Sequence, residues 1–191
     1  MKCIFLVRRP SENSVQANYA ERSNLFMTLL PVRPIATINA VDESRLLDEV
    51  CRVLEGGGDR ERKAAGIASA IRRAGDYRWA GVYERTEEEI AYLAFDGPGA
   101  PDHPRFPATQ GLSGSAVASG ETVVVGEVRE DPRYLPAFRS TRSEIIVPVV
   151  DRAGRKVVGT IDVESEKVDA FSEEDRAALE RCAVALAELF G

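Results

Sequence analysis

Histidine, cysteine and tryptophan are scarce in this chain of 191 residues, which holds one His, three Cys and one Trp. The cysteines Cys3, Cys51 and Cys182 are odd in number and include no close pair, which excludes a disulfide framework and a zinc knuckle of CxxC spacing. A lone His103 leaves too few soft ligands for a transition-metal site, so no metal is expected. Long apolar runs are also missing: nothing approaches the roughly 20 residues that cross a bilayer. The stretch from Cys3 to Val7 is shorter than a secretory core of roughly 7–15 residues, and Arg8 and Arg9 close it. The expected location is the cytoplasm, with no membrane partner. Excess positive charge is absent too; a net charge of −6 argues against binding a phosphate backbone.

That charge is unevenly spread. Residues 1–40 carry five basic residues against Glu12 and Glu21, a balance of +3, which leaves −9 on the rest. They show no sustained period and are interrupted by Pro10, Pro31 and Pro34. The reading is a basic N-terminal extension over residues 1–40, partly disordered, with Met27 as an alternative start, followed by a single domain over 41–191.

What the sequence does contain is a clear order of elements. Ser44 is placed to cap a helix with Leu46, Leu47, Val50, Cys51, Val53 and Leu54 on a broad apolar face, stopped by Gly56-Gly57-Gly58. A second helix is predicted over 59–74, with Ala64, Ala65, Ile67, Ala68 and Ile71 buried. Alternation over 78–84 and 89–95 predicts an antiparallel hairpin. Residues 96–108, rich in Gly and Pro, read as irregular. Gly111–Gly120 reads as a short helix, 122–125 as a strand, and 129–142 as a loop with a helical turn near Tyr134–Phe138. A second hairpin is predicted over 144–150 and 156–164. Ser172, with Glu173, Glu174 and Asp175 in the first turn, opens the last helix, whose apolar side is Leu179, Cys182, Ala183, Leu186 and Leu189-Phe190. The order predicts an α+β domain: an antiparallel sheet with helices on one face and loops covering a pocket on the other.

Five stretches carry a resemblance. They are Trp79-Ala80-Gly81-Val82-Tyr83, Gly111-Leu112-Ser113-Gly114-Ser115-Ala116, Ser143-Glu144-Ile145-Ile146-Val147-Pro148, Gly159-Thr160-Ile161-Asp162-Val163-Glu164-Ser165 and Phe171-Ser172-Glu173-Glu174-Asp175. In this order and spacing the chain resembles GAF domains, and among them it is similar to the free methionine-(R)-sulfoxide reductases. The resemblance implies a small pocket walled by Trp79 and Tyr83, with Glu144, Asp162 and Glu164 meeting a ligand's polar groups. It also implies a homodimer through the first and last helices. A physical reading agrees on one point: Asp162 and Glu164 lie two apart on a strand and share a face. Like charges that close invite a cation, and a ligand ammonium would serve.

The departure is in the chemistry. Those reductases attack sulfur with a cysteine thiolate and resolve the adduct as a disulfide. The three places that the resemblance gives to their cysteines read His103, Ser113 and Ala137 here, the last to within a residue. A serine hydroxyl has neither the acidity nor the softness for the reaction. The sequence therefore favours a non-catalytic, small-molecule-binding sensor domain, whose ligand is a free amino acid or similar zwitterion, without a cofactor. The ligand-binding set is Trp79, Tyr83, His103, Ser113, Glu144, Asp162 and Glu164. The alternative is a diverged reductase, or another enzyme using His103 and Ser113. Surface strand positions for the three carboxylates, a simple helix cap for Ser113 and an exposed loop position for His103 also stay open.

Overall fold

The structure is a computed structural model, and it describes residues 41–191. The extension predicted over 1–40, with Cys3 and Met27, lies outside the described residues.

Helix α1, Glu43–Glu55, starts one residue before Ser44: the cap is Asp42, whose carboxylate accepts the Arg45 N–H at 3.2 Å. Asp at this position both satisfies an orphan donor and faces the positive end of the helix dipole. Asp59 does the same for α2, Arg60–Ala74, accepting the Arg62 N–H at 2.9 Å. After the strands, α4, Glu173–Leu186, opens with a reciprocal box: Ser172 Oγ accepts the Asp175 N–H at 3.1 Å and the Asp175 carboxylate accepts the Ser172 N–H at 2.9 Å. Asp175 is buried and also accepts the Tyr77 hydroxyl at 3.0 Å and the Val41 N–H at 3.4 Å. One carboxylate thus ties α4 to the entry of α1 and to the turn before the first strand. Leu189 and Phe190 fall beyond α4, in a 3-10 turn over Ala187–Phe190.

Six strands form one antiparallel sheet: β1 Trp79–Arg85, β2 Glu89–Asp96, β3 Arg105–Pro107, β4 Val123–Val125, β5 Ser143–Val150 and β6 Val157–Ser165. Their spatial order is β3-β2-β1-β6-β5-β4, so β1, β6 and β5 are central. Alternation then divides the side chains. Ala80, Val82, Ile145, Val147, Ile161 and Val163 face α1, α2 and α4 and join Leu46, Val50, Ile67, Ile71 and Leu179 in the main core. Trp79, Gly81, Tyr83, Glu144, Ile146, Asp162 and Glu164 stand on the opposite face by the same period. There the short helix α3, Gly111–Ser119, packs Leu112 and Ala116 against Ile146, Val125 and Val128. The second face is therefore roofed by a helix as well as by loops.

Two loop expectations need correction. Residues 96–108 are not irregular throughout, because β3 adds three residues to the sheet edge, where Pro107 needs no N–H. The helical turn expected near Tyr134–Phe138 is absent; the loop instead begins with a 3-10 turn over Val128–Glu130. Pro136 supplies the reason, since it lacks a donor and steers Leu135 away from helical backbone. Among the described residues no helix is long and apolar enough to cross a membrane.

Candidate functional site

Strand β1 lays three residues along the second face at a spacing of two: Trp79, Gly81 and Tyr83. Glycine in the middle is a steric requirement. A β-carbon on Gly81 would sit 2.2 Å from Trp79 Cη2 and 3.1 Å from Tyr83 Cε2, so the two rings lean together over it, centroids 6.2 Å apart. Trp79 is fully buried, stacks on Phe95 at 5.8 Å and donates its indole N–H to the Gly99 carbonyl at 3.1 Å. Phe138, from the loop before β5, closes the far side at 5.7 Å.

Beside this wall lie the carboxylates. Glu144 on β5 is directly opposite Glu164 on β6, and Asp162 faces Ile146 on one side and Gly81 on the other. They are not surface residues: their exposures are 7%, 1% and 5% for Glu144, Glu164 and Asp162. Their surroundings differ. Thr141 donates its hydroxyl to Glu164 Oε2. Glu144 Oε2 and Asp162 Oδ1 are buried and find no hydrogen-bond partner among the described residues. Burial, and then the like charge of its neighbours, holds Glu144 well above the ordinary carboxylate range, and Asp162 likewise with Glu164 as the neighbour. Glu164 is pushed up by burial to about 7, against the opposing pull of the Thr141 hydrogen bond and of Arg78. The same acids, added to burial, raise the Tyr83 phenol.

Tyr83, Glu144, Asp162 and Glu164 floor a cavity of about 20 Å³, room for a single water molecule. Its roof comes from the loop carrying His103 and Phe106, the start of α3 at Gly111–Ser113, and Leu135 and Ala137 of the loop before β5. The two roof loops touch through the Asp102 N–H, which donates to the Ala137 carbonyl at 3.3 Å. Gly111 has φ +78°, a left-handed backbone that lets the chain turn into α3, and no side chain caps that helix. Its first N–H groups are thus open to an anion.

Of the seven residues singled out in the sequence, six line this cavity; Trp79 stands one layer back, behind Tyr83. His103 is exposed, as the loop reading expects, and it also borders the cavity roof; no hydrogen bond joins it to Ser113 among the described residues. The three places that the resemblance assigns to reductase cysteines, His103, Ser113 and Ala137, border the same small space. Cysteines do not line it among the described residues: Cys182 is buried in the helix-side core, its thiol pushed up by burial to about 12, and Cys51 is half-buried on α1. No group of three or more His, Cys, Asp or Glu among the described residues is arranged to hold a metal ion. Thr141, Arg78 and Phe138 were not found from the sequence, and no motif marks them.

The GAF domain family model matches residues 59–189. The chain belongs to the GAF domain family. Its GAF domain is 27% identical over 135 residues to GAF domain-containing protein A of Dictyostelium discoideum, covering 70% of this chain and 83% of that protein. It is 33% identical over 111 residues to the free methionine-R-sulfoxide reductase of Saccharomyces cerevisiae, with 56% of this chain and 60% of that protein covered. Among solved structures, the free methionine-R-sulfoxide reductase of Neisseria meningitidis in complex with its substrate superposes with a TM-score of 0.69 at 30% identity, covering 76% of this chain and 86% of that one.

Proposed function

We propose that this GAF domain is a non-catalytic sensor module that binds a small zwitterion, in the first instance a free amino acid. The observation that carries the reading is the buried acidic floor. Three carboxylates share one sheet face, two of them present oxygens without a partner, and the cavity lining supplies no lysine or arginine to answer them. A polar ligand would satisfy these oxygens, its ammonium answering the negative charge of the floor, since a buried polar group left unpaired costs on the order of 1–3 kcal/mol. The uncapped start of α3 faces the ammonium site across the same cavity and suits the ligand's carboxylate. Tyr83 and Phe106 would flank an apolar side chain, with Trp79 holding Tyr83 in place. A free amino acid needs more than about 20 Å³, so the roof loops must part at the Asp102–Ala137 contact as it enters.

The absence of a thiol at the cavity, among the described residues, supports binding rather than sulfoxide reduction. A homodimer through the outer helices α1 and α4, as the resemblance implies, is part of the same reading. The test is thermal unfolding of the full chain with a panel of free amino acids and both methionine sulfoxide epimers. A ligand at ~100 times its Kd adds ~2.7 kcal/mol. The expected result is a rise with one zwitterion that Asp162→Ala abolishes. Thioredoxin-dependent turnover of free methionine sulfoxide would overturn the non-catalytic reading, and no rise with any zwitterion would overturn the ligand class.

A further inference from the structure

The three floor carboxylates are not equivalent, and the difference lies in what surrounds them. Glu164 is the least exposed of the three, and it alone receives a hydroxyl, from Thr141. Thr141 itself is 1% exposed and comes from the last turn of the roof loop, so it reaches down to the floor. Arg78, just before β1, donates its backbone N–H to the Glu164 carbonyl at 3.1 Å. Its guanidinium lies 4.6 Å from the centre of the Phe138 ring and pairs with Glu166 at 2.8 Å. The Arg78 charge favours the ionised form of Glu164, a pull that neither of the other two acids receives. Asp162 and Glu144 have no such donors: Glu144 lies opposite Glu164 and diagonal to Asp162 across the strands, and Asp162 has Glu164 two residues along its own strand. The other titratable groups turned toward Glu164 are the phenols of Tyr83 and Tyr134, both raised by burial and by these acids.

We propose that Thr141 is a positioning residue which, with Arg78, makes Glu164 the one charged carboxylate of the floor and leaves Asp162 and Glu144 as protonated hydrogen-bond donors. The cavity then accepts a ligand with a single cationic centre and at least one acceptor oxygen, and it discriminates against diamines. Two like charges would leave a large uncompensated repulsion in this burial, so separating the three acids into one anion and two neutral donors is the lower-energy arrangement. The use of this arrangement in recognition rests on the amine-binding reading above; the arrangement itself does not.

The experiment is a carbon-13 NMR titration of the side-chain carboxyls in the full chain, assigned with Glu164→Gln and Asp162→Asn. In the unsubstituted protein Glu164 is expected to ionise first, near neutral pH, with Asp162 and Glu144 still protonated. Thr141→Val should move the Glu164 transition up by about one pH unit, the loss of one hydrogen bond to a charged group. Thr141→Ser should restore it, which a merely structural role for the residue would not give. An unmoved Glu164 transition in a folded Thr141→Val, or ionisation of Asp162 or Glu144 before Glu164 in the unsubstituted chain, overturns the proposal; the second measurement needs no variant to fold. Calorimetric titration with L-methionine and with 1,4-diaminobutane then separates the two readings. Binding of the first and not the second supports both. Binding of neither, with the carboxyl titration as described, overturns the ligand reading and leaves the charge assignment standing.

Discussion

Glu164→Gln should make the domain more stable at pH 8 and leave it almost unchanged at pH 5. Burial raises the Glu164 carboxyl from its ordinary 4.5 to about 7. The folded chain therefore keeps a proton between those limits that the unfolded chain has already released. Stability from this group is fully present below pH 4.5 and is lost as pH rises through about 7. The difference between the two values corresponds to about 3 kcal/mol at pH 8. Glutamine imitates the protonated acid and carries no such penalty. For a domain of this size, about 3 kcal/mol amounts to roughly 6–12 °C in melting temperature. The assay is urea or thermal unfolding of both proteins at half-unit steps from pH 5 to 8. Glu144 and Asp162, also held well above the ordinary carboxylate range, add their own loss of stability with rising pH in both proteins, so the assay reads the difference between the two. Glu127 and Asp131 are held below the ordinary carboxylate range by Arg142 and Arg133, so their contributions fade only in more acidic solution. A difference between the two proteins that does not vary with pH would refute the argument, because only ionisation of Glu164 generates the dependence.

Two further predictions concern the aromatic wall. Gly81→Ala places a methyl 2.2 Å from the Trp79 ring; neither the ring nor the central strand can yield cheaply, so unfolding should be easier by about 1–3 kcal/mol, and an unchanged denaturation midpoint would contradict the packing described. Phe138→Ala removes the ring that closes off Trp79, the single tryptophan, so its fluorescence should shift to the red and become quenchable by iodide, with a stability loss below the roughly 3–5 kcal/mol of a fully buried Phe.

How much of the site was legible depended on the strand that carried each residue. On β6 the polar residues Thr160, Asp162 and Glu164 alternate with Gly159, Ile161 and Val163, so the face of Asp162 and Glu164 followed from period alone. On β5 that signal fails. Both faces are buried, the strand reads as a continuous apolar run, and the face of Glu144 became clear only from its register opposite Glu164. His103 and Ala137 could be placed only by resemblance, because loop geometry leaves no period. Thr141 and Arg78 were illegible for a different reason. Their roles depend on tertiary contacts with Glu164, through the Thr141 hydroxyl and the Arg78 N–H, and a Thr or an Arg in a loop is unremarkable in sequence. The start of α1 illustrates the limit in miniature: Asp42 and Ser44 are both good capping residues, and only the backbone decided between them.

In the proposed reading, binding and chemistry occupy different parts of this fold. The acidic floor stands on β5 and β6, two central strands paired along their whole length and packed from behind by α4. The three places that the resemblance gives to thiols stand on the roof: two loops and the first turn of α3. Rigid strands hold the carboxylates in a burial that costs stability, as Glu164 shows, and hydrophobic residues in the same places would remove that cost. Loop and helix-start residues, by contrast, can change without disturbing the sheet that supports the floor. On the reading proposed above, His103, Ser113 and Ala137 in those three places leave no thiol to attack sulfur, while the acidic floor stays in place for an ammonium. A buried floor of acids with unanswered oxygens is strained toward a cation, and in the proposed reading that strain serves recognition on its own.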